Sequence, residues 1–205
     1  MSQDEIYNFS EQQGCCYLTL NVVDWIDVFI RPVYKQVIVE SLNYFIEKKG
    51  LTVFGWCLMT NHLHLMVQAN QGFGLSAIIN DLKKFTSRLI LEDIDVEPDA
   101  RRKWLLEKFQ NASDSLKLLE KYQVWQTSIN PVYIDLHDPG LVRSQLNYIH
   151  CNPVRDRIVL LPEDYLYSSA SDYACTKGLV KVQLITEKNE PDYLKRHLSS
   201  QRHIH

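Results

Sequence analysis

Thr52-Val-Phe-Gly-Trp-Cys-Leu-Met59, Thr60-Asn61 and His62-Leu-His-Leu-Met-Val-Gln68 decide the fold. The first run is almost wholly apolar, the last alternates, and a short polar pair separates them, so the stretch predicts a hairpin of two strands. Upstream, Cys16-Tyr-Leu-Thr-Leu-Asn-Val-Val23 reads as an earlier strand. Between these strands Pro32 opens a run with Val33, Val37, Ile38, Leu42, Phe45 and Ile46 at helical spacing, and Gly50 stands at its stop. Beyond Gly72 and Gly74, the spacing of Leu75, Ile78, Ile79, Leu82, Phe85 and Leu89 predicts a second long helix over 75–92. Residues 123–134 read as a fourth strand interrupted at Pro131. The order strand, helix, strand, strand, helix, strand predicts an α+β sandwich, one antiparallel sheet with helices on one face.

Two further segments add to that unit. Asp138-Pro139 is a helix N-cap followed by Pro at the first helical position, and Pro153 predicts a stop near Cys151. Residues 93–122 are dense in charge and read as a solvated insertion, with helical pieces around Trp104–Phe109 and Leu116–Tyr122. The domain reading is one unit over 1–175 containing that insertion, with 176–205 as a C-terminal extension, partly mobile.

Composition narrows the class. The 205 residues carry 22 Lys+Arg against 25 Asp+Glu, a net charge of -3, with 45% hydrophobic and 23% charged residues. Those proportions exclude a disordered or fibrous chain. The five cysteines form no CxxC pair, which predicts reduced thiols rather than a disulfide framework. Asp4, Glu5, Glu11, Asp24 and Asp27 face no base within residues 1–30, unlike a secretory signal, and no long apolar run spans a membrane. A cytoplasmic protein with no membrane partner is expected. The acidic balance also predicts weak non-specific attraction to nucleic acid.

Chemistry concentrates in two places. On a strand, residues i and i+2 share a face, so His62 and His64 project together while Leu63, Leu65 and Val67 turn to the core. Two adjacent imidazoles begin a divalent metal site; the plainer reading is a pair of surface histidines. On the predicted helix from Pro139, Val142, Leu146 and Ile149 form an apolar stripe, and Ser144, Tyr148 and Asn152 recur every four residues beside it. A phenol can act as a covalent nucleophile and an amide oxygen as a hard metal ligand. The plainer alternatives are a core-boundary aromatic and a helix cap. Arg143, Arg155 and Arg157 make this region locally basic, which suits a phosphate-bearing substrate. Arg202-His-Ile-His205 repeats the His-x-His spacing at a chain end, where it makes no site.

Trp56-Cys-Leu-Met-Thr-Asn-His-Leu-His64 resembles the W-x-x-M-x-N-H-x-H hairpin of the single-tyrosine HUH transposases of insertion sequences. Val124-Trp-Gln126, Asn147-Tyr-Ile-His-Cys-Asn-Pro-Val-Arg155 and Pro162-Glu-Asp-Tyr-Leu-Tyr-Ser-Ser-Ala170 are similar to further blocks of that family, in the same order. The subgroup most resembled is the REP-associated tyrosine transposases. The resemblance implies a ferredoxin-like fold and a metal-dependent endonuclease and strand transferase acting on single-stranded or hairpin DNA. It implies His62, His64 and Asn152 as ligands of Mg²⁺ or Mn²⁺, and Tyr148 as the nucleophile that forms a 5′-phosphotyrosine. Lys83, Lys84 and Arg88 join Arg143, Arg155 and Arg157 as expected DNA contacts. The base for Tyr148 stays open, because His150 points elsewhere on the helix, as does the choice of monomer or homodimer. The alternative reading is a hairpin-binding protein that keeps the fold without cleaving; a metal-binding domain unrelated to nucleic acid is the third.

Overall fold

In the computed structural model, residues 14–96, 98–116 and 120–185 are described. The strands are β1 (Cys15–Asn21), β2 (Leu51–Leu58), β3 (His62–Ala69) and β4 (Val132–Ile134). The helices that build the body are α1 (Pro32–Lys48), α2 (Leu75–Val96), α3 (Arg102–Ser115), α4 (Pro139–His150) and the single turn α5 (Asn152–Arg155). The sheet order is β2-β3-β1-β4 with every neighbour antiparallel, the ferredoxin-like arrangement. Pro32 starts α1, and Gly50 turns the chain into β2 at φ 72°, a conformation costly for any residue with a Cβ.

Alternation along the strands sorts the core into two layers. Leu18, Leu20, Leu63, Leu65 and Val67 face α1 and α2 in the larger core. Cys15, Cys57, Met59 and Met66 face the opposite way, where Val142, Leu146 and Ile149 of α4 cover them. The helix added to the βαββαβ unit therefore takes the other side of the sheet. A register irregularity between Val53 and Gly55 switches the phase of β2, so Val53 and Trp56 both reach the larger core. Gly55 lies beneath α4, and a Cβ there would stand 2.8 Å from Leu146 Cδ2.

Two sequence expectations change. The fourth strand is split: Trp125 makes one bridge to Val22, and β4 pairs with Cys15–Tyr17. Between them, Lys83 Nζ from α2 donates to the carbonyls of Gln126 (2.6 Å) and Thr127 (3.3 Å), and Pro131 has no N–H to offer a ladder. The region 93–122 is also more than a solvated insertion. α2 runs on to Val96, and α3 inserts Leu105 and Phe109, both fully buried, into the larger core. Residues 120–122 are not helical, and 117–119 lie outside the described residues. Gln123 N donates to Phe109 O at 3.0 Å, so the returning chain is stitched to α3.

In the expected C-terminal extension, Asn43 of α1 donates to Leu179 O and accepts from Lys181 N, each at 2.9 Å. Residues 186–205, with the His203/His205 pair, lie outside the described residues, as do Asp4, Glu5 and Glu11. Among the described residues no helix is long and apolar enough to cross a membrane.

Candidate active site

Antiparallel pairing places Asn21 opposite His62 and Thr19 opposite His64. His64 is 3% exposed on the α4 side of the sheet, and His62, nearer the strand end, is half-buried. Their Nε2 atoms lie 3.1 Å apart. Asn61 settles which nitrogen of His62 carries the proton. Its Nδ2 donates to Trp25 O (3.2 Å) and Asp27 Oδ1 (3.1 Å), both pure acceptors, so its Oδ1 must accept from His62 Nδ1 at 2.7 Å. The neutral ring then presents a lone pair at Nε2.

His64 Nδ1 sits against two hydroxyls, Tyr17 Oη at 2.8 Å and Thr19 Oγ1 at 3.0 Å, which bond each other at 2.8 Å. A hydroxyl donates or accepts, so this pair supports either tautomer of His64. Burial drives the His64 pKa down to about 3, with the His62 charge and Arg155 adding to the effect and Asn152 opposing it. Burial also lowers His62, against the pull of Asp156. Both rings are thus neutral at pH 7, the form that binds metal.

The fourth side of the site comes from α4. Asp138 Oδ1 caps it by accepting from Gly140 N (2.9 Å) and Leu141 N (3.1 Å). The fully buried Val142, Leu146 and Ile149 dock the helix. Tyr148, beside that stripe, therefore lies at the edge, 43% exposed. Its ring stands 5.6 Å from the His64 ring and 5.9 Å from that of Tyr17, both edge-on. Arg155 Cζ lies 5.0 Å from the Tyr148 ring centroid. Asn152 is tied to the same place: its Nδ2 donates to Tyr148 O at 2.6 Å, and its side chain reaches His64.

One chain thus brings His62, His64, Tyr148, Asn152 and Arg155 together. The donor set suits a hard divalent cation. With bonds of about 2.1 Å, two ligands at right angles lie about 3.0 Å apart, close to the 3.1 Å between the imidazole nitrogens. Among the described residues no three of His, Cys, Asp and Glu form a metal cluster, and the Asn152 side chain is the amide that reaches His64. Lys83, Lys84 and Arg88 are not at this site; they line a separate cavity. His150 is fully buried with Nε2 2.8 Å from Ser169 Oγ, away from Tyr148. Sequence reasoning missed Tyr17 and Asn61. A signal for Tyr17 exists, since Tyr17, Thr19 and Asn21 put three polar groups on one face of a strand whose other face is apolar.

Residues 26–125 match the family described as Transposase IS200 like. The matched stretch takes in His62 and His64 and ends before Tyr148. That match takes in just under half of the chain and marks a similarity to the IS200-like transposases. The fold is shared with a solved REP-associated tyrosine transposase, itself bound to a REP hairpin, which superposes with a TM-score of 0.54 at 14% identity. That overlap covers 94% of this chain and 98% of the other. A structure described as a candidate transposase from Deinococcus radiodurans R1 overlaps more loosely, with a TM-score of 0.41 at 14% identity over 73% of this chain and 98% of that one. No curated protein matches the chain by sequence.

Proposed function

We propose that the chain is a metal-dependent nuclease and strand transferase for single-stranded, hairpin-bearing DNA, with Tyr148 as its nucleophile. The observation that carries the reading is the meeting of an exposed Tyr148 with a buried, neutral His64 whose Nε2 faces that of His62 at 3.1 Å. The transposase family match supports a DNA-processing role independently of this geometry.

In this reading His62 and His64, with Asn152, hold Mg²⁺ or Mn²⁺. Such an ion, held by those residues, would supply charge stabilisation to the reacting phosphate. Asn61 fixes the His62 lone pair on Nε2, and the Tyr17 and Thr19 hydroxyls would accept from His64 Nδ1 whenever its Nε2 served as a ligand. Tyr148 Oη gives up its proton and attacks phosphorus as the bond to the 3′ oxygen breaks, and that oxygen takes up one proton to become a 3′-hydroxyl, so the proton lost by the phenol balances the one gained. The 5′-phosphotyrosine keeps the phosphodiester energy, so a second 3′-hydroxyl can displace Tyr148 and join strands without a nucleotide cofactor. Arg155, over the Tyr148 ring, supplies positive charge beside the reacting phosphate, and Arg143 and Arg157 are proposed as further phosphate contacts.

The test is adduct formation. Labelled single-stranded DNA containing a hairpin, incubated with the protein and Mn²⁺, yields a protein–DNA species that survives denaturing electrophoresis. Tyr148→Phe and EDTA each abolish it. An adduct from Tyr148→Phe refutes the nucleophile; tight hairpin binding with no adduct under any divalent metal points to a binding protein that does not cleave.

A further inference from the structure

Tyr148 is not the only exposed ring at the histidine pair. Trp25 is 57% exposed, and its indole stands edge-on to the His62 ring with centroids 6.2 Å apart. The His62 and His64 centroids lie 4.6 Å apart, and His64 lies 5.6 Å from Tyr148. The indole thus adjoins the pair through His62, and the phenol adjoins it through His64.

The backbone beneath the indole is strained and tightly held. Val23 and Ile26 are buried in the larger core, so the chain turns outward only at Asp24 and Trp25 between them. Both residues are left-handed, φ 52° and 54°, a conformation that a bulky side chain avoids because its Cβ crowds the following carbonyl. Trp25 N donates to Val22 O and Ile26 N to Val23 O, each at 3.2 Å, and Val23 N donates to Val124 O at 2.9 Å. From the segment before α3, Arg101 Nη1 donates to Asp27 O at 2.8 Å, and Lys108 of α3 stands 3.5 Å from the Asp24 carboxylate. Asn61 serves both ends of the arrangement: its Oδ1 orients His62, and its Nδ2 donates to Trp25 O at 3.2 Å. Strain of this kind persists only where the surroundings impose it, and it gathers at active sites and ligand clamps.

Charge distinguishes the two exposed rings. Arg155 lies over Tyr148, whereas Trp25 is flanked along the chain by the exposed Asp24 and Asp27. A phosphate suits the first place, and the uncharged face of a base suits the second. Building on the reading of the histidine pair and Tyr148 as a DNA-cleaving centre, we propose that Trp25 is the stacking platform for the unpaired base beside the scissile phosphate. Every base has a π-face, so this contact sets where the strand lies and leaves sequence choice to other groups. A surface for a second copy of the chain would use the same ring, but its effect would not depend on which nucleotide keeps its base.

Hairpin binding by the full chain tests it. The Tyr148→Phe protein, which cuts no strand, is titrated by fluorescence anisotropy with labelled hairpin oligonucleotides carrying single-stranded flanks. In each, one unpaired nucleotide is replaced by an abasic residue. Trp25→Ala should weaken binding of the intact oligonucleotide about 5- to 150-fold. Trp25→Phe should restore most of it, and Trp25→Leu, which is apolar but has no ring, much less. One abasic position should weaken binding by a similar factor when Trp25 is present and add nothing in Trp25→Ala. In the protein that retains Tyr148, the cut should fall beside that position. Full affinity in Trp25→Ala, abasic losses that all add to the loss in the variant, or a cut far from the coupled position overturns the proposal. So does a Trp25→Ala protein whose only change is loss of dimer in sedimentation velocity. An adduct with no coupled position refutes the platform and leaves the nuclease; a coupled position with no adduct does the reverse. No hairpin binding at all refutes both.

Discussion

Gly55→Ala tests whether the seating of α4 on the sheet sets the position of Tyr148. The added Cβ would lie 2.8 Å from Leu146 Cδ2 and 3.6 Å from Ile149 Cδ1. Carbon atoms settle at about 3.5–4.0 Å, so the Leu146 methyl must retreat by about 0.7 Å or more. Leu146 is fully buried and cannot swing into solvent. Either it leaves its rotamer or α4 lifts, and overpacking of this kind costs about 1–3 kcal/mol. Tyr148 follows Leu146 by two residues on the same helix, and its ring is only 5.6 Å from the His64 ring, so a lifted helix opens the site. A displacement near 1 Å at reacting groups can cost about 100-fold in rate. Urea unfolding should show the stability loss, and the adduct assay a rate loss larger than the unfolded fraction explains. Leu146→Ala alone should cost about 2–5 kcal/mol by leaving a cavity. In the double variant the new methyl enters that cavity, so the two effects should fall short of their sum by about 1 kcal/mol or more. Additivity within about 0.5 kcal/mol would refute the close contact as the reason for glycine here.

Three other outcomes follow from named contacts. Asn61→Ala removes the acceptor that orients His62, and Mn²⁺ affinity measured by calorimetry should fall about 10- to 100-fold with the fold intact; unchanged affinity would sink the orienting role. Phe109→Ala should lower unfolding stability by about 3–5 kcal/mol, whereas a loss under about 1 kcal/mol would return α3 to the status of a solvated insertion. Asp138→Ala should cost about 1 kcal/mol by freeing the amides of Gly140 and Leu141, readable in a thermal melt, and a wild-type melting temperature would show that docking alone holds α4.

Much of the frame was legible because it depends on neighbours in the chain. Alternation from His62 to Gln68 put both imidazoles on one face and Leu63, Leu65 and Val67 on the other, and the pleat allows no other outcome. Pro32, Gly50 and the Asp138-Pro139 pair marked helix ends through backbone chemistry that acts within a turn. The spacing of four between Tyr148 and Asn152 already made them helical neighbours. Residues 93–122 were misread as solvated because Leu105 and Phe109 find their partners only once α3 has folded against the body. The fourth strand was overdrawn for a like reason, since Lys83, some forty residues earlier, binds the Gln126 and Thr127 carbonyls that a ladder would have used.

Local order thus dictated which side chains the site could contain: a histidine pair on a strand, and a tyrosine and an asparagine on one helical face. Their meeting was decided in three dimensions. Gly55 lets α4 lie close to the sheet, and the β1–β3 register sets Thr19 beside His64, with Tyr17 on the same face. The Asn61 hydrogen bonds to Trp25 and Asp27 then choose the proton position of His62. The physical reason is range. Backbone preferences and side-chain periodicity act over a few residues and are written in the order of the chain. Tautomers, desolvation and the approach of a phenol to an imidazole depend on groups tens of residues apart, which only the packed structure brings within a few ångströms.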